Sequence, residues 1–140
     1  MDWLKETLSF RTEGKGMYPV TDSIEAVIRQ LGIQEGMCFL FLPHASASLV
    51  ISESYDSSAR MDVEEFYERL VPEKQNWYQH TLEGPDDSPS HIRSTLTQNS
   101  LSIPIDNGSL SLGTWQGVFL FEHRTRPHQR RLLVRCLKIT

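Results

Sequence analysis

Polar and apolar positions alternate along Lys5-Glu6-Thr7-Leu8-Ser9-Phe10, a period of two that predicts a strand ending before the loop Gly14-Lys15-Gly16. The period then changes. Ile24, Val27, Ile28 and Leu31 recur at the spacing of one helical face, with Thr21, Asp22 and Ser23 as candidate N-caps and Gly32 as terminator. That face needs a sheet to lie on. Met37 to Leu42 is an unbroken apolar run of strand length, which predicts a central strand covered on both faces and closed by Pro43-His44. Ala47 to Ser52 reads as another strand. Asp56-Ser57-Ser58 caps a second helix that turns Met61, Phe66, Tyr67 and Leu70 inward and Asp62, Glu64, Glu65 and Glu68 mostly outward.

From Val71 to Ser90 the pattern breaks into a loop of about twenty residues, a length that compact domains usually reserve for function. At its end Ser88-Pro89 reads as an N-cap followed by proline at the first helical position. This puts His91 in the first turn of a short helix running through Arg93 to about Leu96, facing amides that favour anions. The last third is β. Leu101–Ile105 and Ser109–Leu112 flank the turn Asp106-Asn107-Gly108, and Val118–Phe121 and Leu132–Leu137 form two more strands around the polar loop Glu122–Arg131. Two or three helices among about seven strands predict a single α+β domain, residues 1–140, with a largely antiparallel, barrel-like sheet.

Composition narrows the partners. With 14 basic and 18 acidic residues the formal charge is -4, so the footprint of a general nucleic-acid binder is missing. No apolar run approaches the roughly 20 residues needed to cross a bilayer, and Met1-Asp2-Trp3-Leu4-Lys5 lacks the order of a signal peptide. A soluble cytoplasmic protein is expected. Cys38 and Cys136 sit in apolar stretches without metal-ligand spacing and read as reduced packing residues.

Candidate chemistry gathers around histidine. His44, His80 and His91 have the count of a catalytic zinc site, three protein ligands with one open position, although their spacing matches no local motif. Asp86, Asp87 and Glu83 are candidates to orient an imidazole or are simply solvated turn formers. Glu53 is a candidate general base or a structural acceptor. Ser46 lacks a GxSxG elbow, so a serine-hydrolase reading fails. Trp115, between Thr114 and Gln116 and flanked by Gly113 and Gly117, is a packed aromatic or a point of close ligand approach. Arg124, Arg126, Arg130 and Arg131, with His123 and His128, form either a solvated loop or a clamp on phosphate.

Several motifs together carry a resemblance: Pro43-His44-Ala45-Ser46-Ala47-Ser48-Leu49, Glu53 with Tyr55-Asp56, Tyr78-Gln79-His80 through Asp86-Asp87-Ser88-Pro89-Ser90-His91-Ile92-Arg93, and Gly113-Thr114-Trp115-Gln116-Gly117. In this order, over about residues 3 to 138, the chain resembles the YjbQ-like family, also called the secondary thiamine-phosphate synthase family. The resemblance implies a small α+β fold, a homotrimer and a site near the subunit interface. His44, His80 and His91 match the family's three histidines and are the implied ligands of a divalent metal, zinc or magnesium. It also implies a weak thiamine-phosphate synthase activity, which joins hydroxymethylpyrimidine diphosphate to thiazole phosphate and releases diphosphate. In that reading Glu53, Asp87 and His91 are catalytic, and Arg93, Thr114, Trp115, Gln116 and Arg124 contact a phosphorylated substrate. The chain departs from the family where Ala45-Ser46 replaces Thr-Thr and Ser52-Glu53-Ser54 replaces Asn-Glu-Asn. A non-catalytic trimeric module for a metal or phosphorylated metabolite, and a metal-assisted phosphate hydrolase, are the alternatives.

Overall fold

The computed structural model describes residues 1–140. Its elements run β1 (Asp2–Thr12), β2 (Gly16–Pro19), α1 (Thr21–Gln30), β3 (Gly36–Phe41), β4 (Ala47–Glu53), α2 (Ser57–Leu70), α3 (Asp87–Leu96), β5 (Ser100–Asp106), β6 (Ser109–Leu110), β7 (Gln116–Glu122) and β8 (His128–Lys138). Every strand pairing is antiparallel. One sheet has the order β1-β8-β3-β5-β6 and the other β2-β7-β4, which gives the expected α+β architecture. The hairpin turn forms as its residues require, with Asn107 at φ 51° and Gly108 at φ 81°.

The core lies between the two sheets and α1. Ile24, Val27 and Ile28 of α1 bury against Cys38 and Leu40 of β3, Leu49 of β4, Val118 and Leu120 of β7, and Leu132 and Val134 of β8. Cys38 and Cys136 are free, buried and opposite each other across the β3–β8 ladder. None of the three expected caps serves α1, which starts after Val20. Thr21 Oγ1 instead accepts from the Val118 amide at 2.9 Å, tying the helix start to β7.

Three expectations are corrected. β3 is covered on one face only: Cys38 and Leu40 point inward while Phe39 and Phe41 stand exposed on the outer face beside Trp3. The run is unbroken because both faces of this antiparallel strand are apolar, and burial of both is not the cause. In α2 the period is right and the phase is off. Met61, Phe66 and Leu70 are exposed, Val63 and Tyr67 lean on Met17, Phe119 and Phe121, and the inward side is partly charged. Glu64 accepts the Met17 amide at 2.7 Å, and Glu68 meets Lys15 at 3.1 Å and Arg93 at 3.4 Å. The third helix begins at Asp87, not after Ser88, because Gly84, at φ 104°, turns the chain and its carbonyl accepts the Asp87 amide at 3.3 Å. His91 therefore sits in the second turn.

The expected basic loop also divides. Arg126 and Arg131 are exposed, whereas Arg124 and Arg130 are buried on protein carboxylates. Arg130 donates to Glu122 through Nε at 2.8 Å and Nη2 at 2.6 Å, and to Ser46 Oγ at 2.9 Å. Burial opposes the Glu122 charge, but Arg130 and the Thr12 hydroxyl outweigh it and hold the carboxyl below its ordinary range. Substituting Arg130→Met strands that charge and should cost about 3–5 kcal/mol in urea unfolding. A loss under about 1 kcal/mol contradicts the role given to this pair.

Candidate metal centre

α3 supplies Asp87 and His91, four residues apart and so stacked on one helical face. His80 arrives from the segment between α2 and α3. Ligand-type atoms of His80, Asp87 and His91 all lie within 4.8 Å of one another. Asp87 Oδ2 is 2.8 Å from His80 Nε2, and Asp87 Oδ1 is 3.1 Å from His91 Nε2. The carboxylate is buried, whereas the side chains of His80 and His91 are 60% and 37% exposed. The cluster therefore has a fixed floor and an open top. Above it lies a cavity of about 550 Å³ walled by Ala45, His80, His91, Ser94, Thr95 and Asn99.

The floor is held by Arg124. Its Nε donates to Asp86 Oδ2 at 2.8 Å, its Nη1 to Asp87 Oδ1 at 2.8 Å and its Nη2 to the Glu83 carbonyl at 2.9 Å. Burial opposes the charge on Asp86, but Arg124 and the Thr125 amide prevail and hold its carboxyl at about 2. Burial likewise pulls Arg124 down, and Asp86 and Asp87 together raise it. The far end of α3 is pinned to β4 by the Leu49–Gln98 backbone pair, at 2.6 and 3.2 Å.

His91 shows what the cluster demands. Its Nδ1 is 2.8 Å from the Ala45 carbonyl oxygen, which can only accept, so Nδ1 carries the proton. Its Nε2 faces Asp87 Oδ1, a second acceptor. With Nδ1 committed to Ala45, Nε2 is left facing the Asp87 carboxylate, an arrangement that suits a cation held between the two. A backbone carbonyl on the distal nitrogen is the usual support of a metal-bound histidine.

The other expected residues are distributed differently. His44 contributes no atom to the cluster: its Nε2 accepts the Arg131 amide at 2.9 Å, and burial with nearby Arg130 and Arg131 lowers its pKa. Arg93 is 1% exposed and donates to the Tyr67 and Val71 carbonyls at 3.3 and 2.7 Å, bracing α3 against α2. Glu53, Thr114, Trp115 and Gln116 lie at the opposite end of β4 from Ala45, a strand length of about 20 Å away. There Glu53 accepts the Tyr55 and Asp56 amides at 3.2 and 3.1 Å, and Trp115 packs edge-on to Tyr55 at 5.0 Å. Within one chain these two groups of residues do not meet.

Sequence reasoning missed the Ala45 carbonyl, a backbone contact that no side chain announces. His123, expected in a solvated loop or a phosphate clamp, is instead buried, with Nε2 2.8 Å from Ser48 Oγ and a pKa lowered to about 3 by burial and by Arg93 and Arg130.

The Asp86 clamp has a pH signature. A carboxyl depressed in the folded state stabilises fully above its unfolded pKa and ceases to do so as pH falls through the folded value, here between about pH 4 and 2. Urea midpoints should drop through that window and drop less steeply for Asp86→Asn, which is also weaker at pH 7. Equal acid slopes for the two proteins contradict the clamp.

Residues 6–139 match the family described as UPF0047 protein YjbQ-like. The chain is 49% identical over 130 residues to UPF0047 protein sll1880 of Synechocystis sp., covering 93% of this chain and 88% of that one. It is 39% identical to UPF0047 protein YjbQ of Escherichia coli O157:H7, covering 94% and 95%. Among solved structures, the conserved hypothetical protein TT1486 from Thermus thermophilus superposes with a TM-score of 0.85 at 32% identity, covering 94% of this chain and 99% of that one. Sequence and fold thus agree, and the chain is a member of the YjbQ-like UPF0047 family.

Proposed function

We propose that the chain holds a divalent metal on His80, Asp87 and His91 and uses it to act on a small phosphorylated metabolite. The observation that carries this is the His91 ring, fixed by the Ala45 carbonyl on Nδ1 and facing a carboxylate on Nε2. Two imidazoles and one carboxylate suit zinc better than magnesium, which prefers oxygen ligands and retained water. Bound there, such an ion supplies positive charge to phosphoryl oxygens. The chain supplies the rest. Asp87 is aimed by Arg124, His91 by Ala45, and Ser94, Thr95 and Asn99 offer hydrogen bonds in the cavity above.

The specific reaction suggested by the family likeness is thiamine-phosphate formation with release of diphosphate. A metal-assisted phosphate hydrolase uses the same residues, with water as the second reactant. A purely binding role fits the same ligands and differs in showing no turnover. The exposed apolar face of β1 and β3, with Trp3, Phe39 and Phe41, supports assembly into a homotrimer that covers it.

Zinc titrated into metal-free protein should bind one ion per chain, and His80→Ala or Asp87→Asn should weaken it by at least tenfold while Glu53→Gln has no effect. Equal zinc affinity in all of these proteins contradicts the assignment. In a diphosphate-release assay on the two thiamine precursors, His91→Ala should abolish turnover; a wild-type rate in that variant removes the proposed site from catalysis. For assembly, native mass measurement should find trimers that Phe41→Asp converts to monomers; an unchanged mass excludes this face.

A further inference from the structure

His80 belongs to the walls of two cavities. One is the space above the His80–Asp87–His91 cluster; the other, of about 290 Å³, shares His80 and is lined by Lys74, Tyr78, Thr81 and Ser88 among others. Neither lining includes an aspartate or glutamate, although the chain carries 18 acidic residues and a net charge of -4. Lys74 is the one lysine or arginine in either wall. Its neighbour Glu73 turns away to Lys15 at 3.2 Å, which leaves the Lys74 ammonium exposed and without a carboxylate partner. Lys74 also holds φ at 59°, a left-handed conformation that a lysine adopts at a cost. The Tyr78 hydroxyl donates to the Pro72 carbonyl at 2.6 Å and closes the turn that displays Lys74.

From this arrangement we infer that the ligand is a two-headed anion: one anionic head sits at the His80–Asp87–His91 cluster, and a second, separated by a short carbon chain, reaches past His80 to Lys74. Lys74 is thus a specificity residue that distinguishes a molecule charged at both ends from one charged at a single end. The inference rests on the proposed phosphorylated-ligand reading and adds the second charge. Apart from the two imidazoles that hold the first head, the polar side chains of the walls are hydroxyls and amides, which accept either kind of ligand, so the second charge is read by the Lys74 ammonium.

The test uses two probes of the same length, 3-phosphoglycerate, anionic at both ends, and glycerol 3-phosphate, anionic at one. Their dissociation constants are measured by titration calorimetry on the zinc-loaded full chain. Wild type should prefer 3-phosphoglycerate by about fivefold, the size expected of an exposed charge pair. Lys74→Gln should bring that ratio to about one, leaving glycerol 3-phosphate affinity and zinc stoichiometry unchanged. Lys138→Gln, which removes the same charge from β8, should keep the wild-type ratio. A ratio near one in wild type, an unchanged ratio in Lys74→Gln, or no binding of either probe at millimolar concentration overturns the inference. Repeating the titration on metal-free protein separates the two readings: a Lys74-dependent ratio that is indifferent to zinc upholds the second head and rejects the metal.

Discussion

The contact on which the candidate site depends is Arg124 against two adjacent aspartates. A single guanidinium fixes Asp86, Asp87 and the Glu83 carbonyl, and in doing so sets how Asp87 meets two imidazoles. Buried carboxylates at a helix start are tolerable only with such compensation. They also complement the helix dipole, so the helix end that could have received an outside anion is occupied by the protein's own charge. In the proposed reading an anionic ligand is therefore received by the cluster above and the cavities that share His80.

Arg124 is itself placed by the end of β7. Glu122 is buried and paired with Arg130, and its Oε2 accepts the amides of His123 and Arg124 at 3.0 and 3.1 Å. One buried ion pair thereby holds the segment that delivers the second. On the opposite side Arg130 reaches Ser46, the neighbour of Ala45, whose carbonyl orients His91. Two arginine–carboxylate pairs, joined through the β7 end, thus frame the cluster from below and from the β3–β4 connection. Geometry this over-determined is what a metal or an anion requires, because the ligands do not have to rearrange when it binds.

How much of this was legible in the chain depended on whether the signal was local. α1 could be read from the spacing of Ile24, Val27 and Ile28, and the β5–β6 hairpin from Asn107-Gly108, because each reports a period or a required φ within a few residues. The inward face of α2 could not, since Glu64 and Glu68 take part in it and charge there reads as solvation until Met17 and Lys15 are in place. The start of α3 was misplaced by two residues because Ser88-Pro89 carries a valid helix-start signature that the turn at Gly84 pre-empts. For the site, the stretch from His80 to His91 was recognisable by composition. The role of Asp87 as a contact of both histidines depended on Arg124, 37 residues away. The separation of His44 depended on the Arg131 amide, 87 residues away. The distance between the histidine end and the Trp115 end of β4 follows only from strand register.

The central claim is that His91 is a ligand poised through Nε2, with its proton held on Nδ1 by Ala45. Long-range nitrogen–proton NMR of the histidine side chains, recorded before and after zinc, reads this state directly. His91 should keep its Nδ1 proton while its Nε2 resonance, and a nitrogen of His80, move on addition of one zinc per chain, with His44 unmoved. Zinc-dependent shifts at His44 with none at His91, or no histidine shift at all, would contradict the claim.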